Sequence, residues 1–561
     1  MAGDGVEFDF LDNIQATLTL TVNGSAYSVP GGNISYLDLD IKPWGFEGTV
    51  EFLVVAYPQS DTLYTPFQAA TPIPIVLTIE PGNEGSQQSS VVPMTLNGTV
   101  TRRSFKEVMT NLDSGGANVQ SNPVLYRIYS VSFQDPLKFF WSQHFPQLLY
   151  TNTTYQAVIS AQVTSAFTVT YNWSVLTASQ AQICVNTGIN VPDGKPRSFY
   201  DFLIWLVDQN NGYFYYNYAT PGYVLAGALP AAGTAIACAS QYILGMNVNL
   251  PAVNYTQLSV INALSTNPST QQGTNANAIT PLARDYLTVC TTPSLFTNEV
   301  TLQKARFPGP PATATWRYSA LPLTMLVPGN TVQFQTTNNN WSQQSYLSGQ
   351  TLTVTRIKLR AKYNENISGR LLDNNGATGA SYFLTYEVTG VFPGGTNPLL
   401  PEYRAPVYPL QVQGLVYSNQ GASNANNYAF VQDSATSSNC YQVQIPLWNN
   451  QLVYVPYAPV NMSGQFYFPP YKNQQVLVNL WLNSANIDSY LDWLSYATLP
   501  MSGQGNAIVL GESSTSQTSI THTYTNSVPQ LNINRQQAQD TETISIGEGF
   551  ILLQTQETSS S

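Results

Sequence analysis

Short alternating apolar and polar segments, separated by turn residues, limit this chain to a mainly β architecture. The first is "ATLTLTVNGSAYSV", which alternates on both sides of Asn23-Gly24. An Asn-Gly pair between two alternating runs is a strong hairpin signal. It is followed by "GTVEFLVVAY", "IPIVLTIEPGN" and "VPMTLNGTVTR". Short strands at this spacing predict a small barrel or sandwich within residues 6–110.

Strand patterns return in the second half of the chain. A second barrel of the first kind is predicted within residues 295–400 from "NEVTLQKARF", "TVQFQTT", "GQTLTVTRIKLRAKY" and "SYFLTYEVTGVF". Ile357, Leu359 and Ala361 alternate there with basic residues, so we expect a buried apolar face and a solvated basic face. The Asn/Thr-rich residues 250–290 are expected to be loops.

Helical signals lie mainly between these two regions. Ser104 and Glu107 have the spacing of a capping box, and so do Ser198 and Asp201. The second box precedes an apolar stripe that ends at Asn211-Gly212, which predicts a helix followed at once by an aromatic strand. The stripe consists of Phe199, Phe202, Leu203, Leu206 and Val207. A further helix is predicted in "NTTYQAVISAQV", with Tyr155, Val158, Ile159 and Gln162 at helical spacing, and a strand is predicted over Tyr126–Phe133. Residues 120–225 therefore form an α+β insert between β domains.

The C-terminal third begins with the proline-rich linker "NPLLPEYRAPVYP". The β unit that follows contains "LQVQGLVYS", "NCYQVQIPL" and "QQVLVNLWL", and Pro469-Pro470 mark a strand edge or corner because proline cannot donate to a ladder. A short helix is predicted over 484–496, with Ile487, Tyr490, Leu491 and Leu494 at helical spacing. The tail from 512 is polar with brief alternations: Ile520, His522 and Tyr524, then Leu531 and Ile533, then Ile544 and Ile546.

Low charge is the main feature of the composition. Charged residues make up 9% of the chain, against roughly 25% in average soluble proteins. The net charge of -11 argues against nucleic acid as a partner, because phosphate binding needs a basic surface. Arg102-Arg103 and the run from Arg356 come nearest to a basic cluster. The apolar run Tyr223–Ala239 contains Pro230 and is too short to span a membrane as a helix.

The sequence shows no catalytic, cofactor-binding or metal-binding motif, and we expect no enzyme activity and no cofactor. His144 stands among aromatic residues and is expected to be packed in a core. Asp488 and Asp492 are explained by an exposed helix face. No signal peptide is recognised. The widely spaced cysteines are expected to be free buried thiols: Cys184, Cys238, Cys290 and Cys440.

Several motifs resemble the VgrG-type spike proteins of contractile injection systems, found in type VI secretion and in phage baseplate hub–spike fusions. "VLYRIYSVSFQDPLKFFW", "QHFPQLLYTNTTYQAVISAQV" and "KPRSFYDFLIWLVDQNNGYFYYNY" are similar to the family's hub insert. "GQFYFPPYKNQQVLVNLWLN" is similar to a Gly–aromatic–Pro pattern in its OB-fold collar. Asn473 stands where the family usually has Gly, and Gln475 where it usually has Glu.

The resemblance implies a mainly β fold with an α+β insert, two tube-like β-barrels, an OB-fold collar and a short C-terminal β needle, assembled as a trimer. The implied domains are a first hub barrel (1–115), an α+β hub insert (116–250), a second hub barrel (251–400), the collar (401–511) and a needle or tip-binding tail (512–561).

The implied function is mechanical. Such a homotrimer caps the inner tube protein, contacts baseplate and sheath components, carries a conical tip (PAAR-like) protein or effector cargo, and pierces the target membrane transiently. It is assembled in the bacterial cytoplasm and then ejected. The two barrels are expected to share one topology and to give the trimer a pseudo-six-fold ring. The alternative is an extracellular carbohydrate-binding β-domain array, in which Tyr213, Tyr215, Tyr216 and Tyr218 would stack on sugars.

The candidate docking residues are four consecutive apolar side chains near the C-terminus, Phe550, Ile551, Leu552 and Leu553. On a strand they point to both faces, so one pair remains exposed unless a partner covers it. His522 would occur three times around a three-fold axis, but without a second ligand we interpret it as a packed or solvent-facing residue and predict no metal site.

Overall fold

The computed structural model describes most of the chain. The described residues are 8–82, 91–112, 122–188, 191–230, 233–238, 242–264, 268–290, 292–335, 345–364, 379–393, 399–419, 431–432, 439–456, 472–492, 506–513, 516–526 and 528–557. Contacts divide the chain into two compact units. Unit 1 comprises 1–145, 159–176 and 189–405, and unit 2 comprises 146–158, 177–188 and 406–561.

Most elements are strands. The strands of the first half are β1 Phe10–Val22, β2 Ser25–Pro30, β3 Ile34–Lys42, β4 Gly45–Tyr57, β5 Pro74–Pro81, β6 Met94–Leu112, β7 Asn122–Gln134, β8 Gln147–Thr154, β9 Val169–Asn172, β10 Ser179–Asn186, β11 Tyr213–Asn217, β12 Gly222–Ala226, β13 Ile236–Cys238, β14 Ile243–Asn249, β15 Gln257–Asn262, β16 Ser269–Gln272 and β17 Ala283–Thr288. The strands of the second half are β18 Thr313–Tyr318, β19 Thr331–Phe334, β20 Thr351–Tyr363, β21 Gly379–Val391, β22 Leu410–Tyr417, β23 Val431–Gln432, β24 Asn439–Ile445, β25 Gln451–Pro456, β26 Gln475–Leu480, β27 Ala485–Asp492, β28 Asn506–Ser513, β29 Ser516–Thr525, β30 Val528–Gln537, β31 Asp540–Gly547 and β32 Phe550–Gln556. The helices are α1 Tyr64–Phe67, α2 Pro136–Trp141, α3 Tyr155–Ser160, α4 Ser174–Thr177, α5 Phe199–Gln209 and α6 Pro293–Arg306.

A single 13-stranded sheet forms the main part of unit 1. Eight of its strands close into a ring in the order β20-β3-β4-β7-β6-β5-β1-β21, because β20 and β21 also pair with each other. The predicted first hairpin is confirmed: β2 pairs with β1 across a turn in which Asn23 and Gly24 have φ values of 50° and 82°. Both positive values suit Asn-Gly, which tolerates the left-handed region.

The long hairpin β20–β21 is shared by two parts of the sheet. Its Tyr363 end pairs with β3 and β1, while its Thr351 end pairs with β19 and β18. β14 and β13 extend this second part into a half-barrel. The Cys238 Sγ of β13 lies 3.4 Å from the hydroxyl of Tyr318 on β18.

The strands of the two predicted barrels are therefore hydrogen-bonded within one sheet, whereas the sequence suggested two self-contained barrels. Local alternation cannot show which distant strands pair, and the β1–β21 and β3–β20 ladders join residues more than three hundred positions apart. The predicted alternation in β20 is confirmed, because Ile357, Leu359 and Ala361 are fully buried. The boundaries at 115, 250, 400 and 511 remain predictions.

The helical part of unit 1 matches the sequence best at α5. The Ser198 hydroxyl accepts a hydrogen bond from the Asp201 N–H, and the Asp201 carboxylate accepts one from the Ser198 N–H, which completes the predicted capping box. The apolar stripe of α5 is buried. The predicted helix near Tyr155 is present as α3, and the strand predicted over Tyr126–Phe133 lies within β7.

Three local predictions for unit 1 are wrong. Ser104 and Glu107 lie in β6, where pairing with β7 overrides the capping-box spacing. "NEVTLQKARF" lies in α6, which Thr292 caps by accepting from the Leu295 N–H. Phe296 and Val300, one helical turn apart, pack on buried residues of β15. The expected loop at 250–290 contains the small sheet β16-β15-β17, whose inner face this helix covers.

Unit 2 contains the sheet β23-β24-β22-β26-β27, with β25 paired to β24. Its core also holds Leu149 of β8 and Cys184 of β10. These two strands of the expected insert therefore pack with the expected collar instead of with the rest of the insert. The Tyr408 hydroxyl donates to the Cys184 carbonyl at 2.6 Å, and the Cys184 N–H donates to the Leu482 carbonyl at 2.8 Å.

The helix predicted over 484–496 is also wrong, because residues 485–492 form β27. Its residues pair with β26, and Ala485 and Ile487 join the core of this sheet, which includes Val478 and Leu480. This tertiary packing outweighs the helical spacing of Ile487, Tyr490 and Leu491, while Leu494 and Pro469-Pro470 lie outside the described residues. Asn473 has a φ of 64°, which explains why a residue that tolerates the left-handed region stands at the family's Gly position.

Candidate assembly surface

Metal-binding groups are considered first, within the described residues. Within them no group of three His, Cys, Asp or Glu side chains is placed to hold a metal ion. The His144 ring packs 5.7 Å from the Phe199 ring, and its Nε2 lies 2.8 Å from Gln162 Oε1, as expected for a packed histidine. The four cysteines are free and buried, as the sequence predicts. In the described part of the chain no helix is long and apolar enough to cross a membrane.

The tyrosines that suggested a sugar platform are largely used in packing. Tyr216 is buried, and its ring lies 5.6 Å from Phe46 and 4.8 Å from Tyr218. The Tyr218 hydroxyl donates to the carbonyls of Lys42 and Gly45. These contacts leave the two rings unavailable as a flat binding surface, so nothing in their geometry favours the carbohydrate alternative.

The segment predicted as the needle (512–561) forms a five-stranded antiparallel sheet together with β28, which begins at Asn506 within the residues predicted as the collar. The strands follow chain order, β28-β29-β30-β31-β32. The pairing registers place one aliphatic residue of every strand in a single row across the sheet: Ile508, Ile520, Ile533, Ile544 and Leu553. A second row on the same face contains His522, Leu531, Ile546 and Ile551. We call this surface the apolar needle face.

The apolar needle face is largely uncovered in the single chain. Ile508 is 51% exposed, Ile520 38%, Ile544 39% and Leu553 73%. Full burial of such a side chain is worth about 1.5–3 kcal/mol, so covering the whole face would stabilise an assembly by several kcal/mol per chain. Contiguous apolar surface of this kind marks an interaction site.

The opposite face of the needle sheet is polar and bonded within itself. Ser519, Thr521 and Ser545 are buried there. The Ser545 hydroxyl donates to Asn532 Oδ1 at 2.7 Å, and Asn532 Nδ2 donates to the Thr523 hydroxyl at 3.4 Å. The contrast between the two faces indicates that the extended aliphatic surface of this sheet lies on the apolar needle face.

The four candidate docking residues are divided between these faces. All four are exposed on β32, and pairing with β31 places Ile551 and Leu553 in the rows of the apolar needle face. Phe550 and Leu552 point to the opposite, mainly polar face. Leu552 is 46% exposed and Phe550 49% exposed. Among the described residues, β32 pairs only with β31 and forms the last edge of the sheet.

His522 belongs to the apolar needle face instead of to a metal cluster. Its ring lies 5.1 Å from the Tyr524 ring, edge to face. Together with Pro529, Leu531 and Ile546 it lines a shallow groove of about 670 Å³. Sequence alternation indicated Ile520, His522 and Tyr524 as one face, but the rows across strands depend on register, which the sequence alone did not fix.

Comparison with known proteins gives likeness by structure only. No family model matches the chain, and no curated protein matches it by sequence. A chain of the lidded Francisella PdpA–VgrG complex is similar over 98% of this chain and 81% of that chain, with 13% identity and a TM-score of 0.70. A chain of the lidless PdpA–VgrG complex is similar over 99% of this chain and 100% of that chain, with 14% identity and a TM-score of 0.67.

These likenesses establish the fold. The chain is a mainly β protein with the fold of chains in the PdpA–VgrG complex, and the half-lidded Francisella complex agrees, with a TM-score of 0.68 at 14% identity. The resemblance to VgrG-type spikes that the motifs indicated is confirmed at the level of the fold.

Proposed function

We propose that this chain is the structural hub and spike of a contractile injection machine of the type VI secretion or phage-tail kind. The apolar needle face carries the proposal, because it is a long aliphatic surface that the single chain leaves open. The end-to-end fold likeness to chains of a PdpA–VgrG complex supports it. The proposed role is structural, without enzyme activity.

Three copies of the chain cover the apolar needle face in this proposal. A single-layer sheet cannot bury its apolar side alone, and sheets pack face to face at about 10 Å. Two copies would form a sandwich, whereas three would form a triangular prism with the aliphatic rows inside. The implied VgrG-type assembly favours three, with OB-fold collars above the needle and hub barrels that cap the inner tube protein.

The apolar needle face predicts how the assembly responds to a buried charge. Ile544→Asp places a carboxylate in the centre of the aliphatic row and should convert the trimer to monomers, because burial of an unpaired charge costs several kcal/mol. Gln554→Asp is the matched control, since Gln554 is exposed on the opposite face of the neighbouring strand. Light scattering should give a trimer for the control. A trimer for Ile544→Asp would contradict the proposed packing.

The tip protein is proposed to bind at the β32 end. In this proposal Ile551 and Leu553 are buried in the contact between the three copies. Phe550 and Leu552 stay exposed and contact a conical, PAAR-like tip protein or effector cargo. The machine would be assembled in the bacterial cytoplasm with baseplate and sheath components, and the spike would pierce the target membrane transiently as it is ejected.

The double variant Phe550→Ser, Leu552→Ser should therefore leave the trimer intact but no longer bind the tip protein in a pull-down from bacterial cytoplasm. Deletion of residues 548–561 should do the same. Unchanged recruitment of the tip protein by both variants would rule out this docking site.

A further inference from the structure

Strand β6 has a long open edge in unit 1. β5 pairs with it only over Met94–Thr99, and the Val100 N–H donates to the Ile73 carbonyl at 3.0 Å where β5 gives way. From Thr101 to Met109, β6 is paired with β7 on one side, and among the described residues it has no backbone partner on the other. This open edge is nine residues long, roughly 30 Å at the usual rise of a strand.

The open edge coincides with a basic cluster in an acidic chain. Arg102, Arg103 and Lys106 lie on it, and Arg127 lies opposite on β7. Arg103 donates to the Ala69 carbonyl, and Arg127 is paired with Asp61 and Glu107. Arg102 and Lys106 are exposed, and in the described part of the chain neither has an ion-pair partner.

The pairing register places Arg102 and Lys106 on the same face of β6. Beyond the irregularity at Thr101, Arg102 and Lys106 lie on one face of β6, opposite Ser132 and Ile128. They are four residues apart, roughly 14 Å along the strand. Phe105 lies on the other face, 37% exposed, with its ring 5.3 Å from Tyr64. The beginning of the edge borders a groove of about 710 Å³ that Phe139 and Phe140 also line.

We propose that the β6 edge binds an extended strand of a partner protein, which carries two carboxylates four residues apart. Such a strand would continue the sheet where β5 leaves it. Its backbone would bond the open edge, its carboxylates would lie across from Arg102 and Lys106, and an apolar residue between them would cover Phe105. This inference does not depend on the spike function.

Charged side chains on an edge strand can also have a protective role. They prevent edge-to-edge pairing between folded molecules. Under that explanation Arg102 and Lys106 repel every incoming strand, and the charge of the strand makes no difference to its binding. The two explanations therefore differ in whether an acidic strand is accepted and a basic strand is refused.

The test uses the full chain and two synthetic nine-residue peptides of alternating threonine and valine. One peptide has glutamate at its second and sixth positions, and the other has lysine there. Hydrogen exchange measured by mass spectrometry reports the protection of amides 101–109, and anisotropy of the labelled peptides reports affinity. We expect protection by the acidic peptide and about tenfold weaker binding of the basic one at low salt.

Arg102→Glu with Lys106→Glu should reverse the preference between the two peptides. Lys358→Glu with Lys362→Glu is the matched control, because these lysines have the same spacing on β20, whose edges are paired to β3 and β21. The control should retain the preference for the acidic peptide. Equal protection by both peptides, no protection by either, or concentration-dependent protection of the edge without peptide would overturn the proposal.

Discussion

The Asp61 carboxylate should be a main source of local stability in the first barrel. Its side chain is 1% exposed, and it accepts from Arg127 Nη1 at 2.9 Å, from the Tyr129 hydroxyl at 2.6 Å and from the Leu63 N–H at 3.1 Å. It thereby fixes the segment before α1 to β7. The Arg127 guanidinium also lies over the Tyr64 ring, with 3.7 Å between Cζ and the ring centroid.

Asp61→Ala removes all three acceptor contacts, and among the described residues it leaves the Arg127 charge, 12% exposed, with Glu107 as its remaining ion-pair partner. Breaking a buried ion pair costs about 3–5 kcal/mol, and the remaining Glu107 contact places the expected loss near the lower end, about 3 kcal/mol. This corresponds to a drop of roughly a hundredfold in the exchange protection of β6 and β7 amides, if these open as one local unit.

Glu107→Gln is the matched control. Glu107 binds the same guanidinium at 2.8 Å, but its side chain is 48% exposed, and exposed pairs contribute about 0–1 kcal/mol. Hydrogen exchange followed by mass spectrometry measures both variants in the intact chain, without assuming a single unfolding transition. Equal, small losses of protection in Asp61→Ala and Glu107→Gln would refute the reasoning, since the buried carboxylate would then contribute no more than the exposed one.

Two further predictions concern single residues. Burial raises the pKa of Asp135 to about 6 despite the hydrogen bond from Tyr223, so folding is favoured by its protonation below about pH 4, and this contribution is lost as the pH rises to about 6. Asp135→Asn should reduce the change in the free energy of unfolding between pH 4 and 6, by about 3 kcal/mol at most. Urea unfolding at several pH values measures it, and the same pH dependence in the variant and the original chain would contradict the prediction. Asn473→Ala should destabilise unit 2 by about 1 kcal/mol because Asn473 has a positive φ, whereas Asn473→Gly should be nearly neutral. Equal melting temperatures for the two variants would refute this.

Sequence reasoning succeeded where local signals and packing agree. At α5 the capping box, the apolar stripe and the terminal Asn-Gly all indicate the same helix, and the structure contains it. The same capping-box spacing at Ser104 and Glu107 failed, because pairing of β6 with β7 is a long-range interaction that a short window does not contain. The helix predicted from apolar spacing at 484–496 failed for the same reason, because residues of β27 pair with β26.

The candidate assembly surface was predicted only in part. The four apolar residues at 550–553 were visible because they are consecutive, but their division between two faces follows from the register of β31 and β32. The aliphatic row from Ile508 to Leu553 draws one residue from each of five strands, so it became visible only when all the registers were known. The shared hairpin β20–β21 was missed because its partners in β1 and β3 are far away in the sequence.

Electron cryomicroscopy of the purified full chain tests the central claim most directly. The account predicts particles with three-fold symmetry, in which three needle sheets enclose the row of Ile508, Ile520, Ile533, Ile544 and Leu553 around one axis. Particles of a single copy, or two copies joined as a sandwich with the apolar needle faces together, would contradict it.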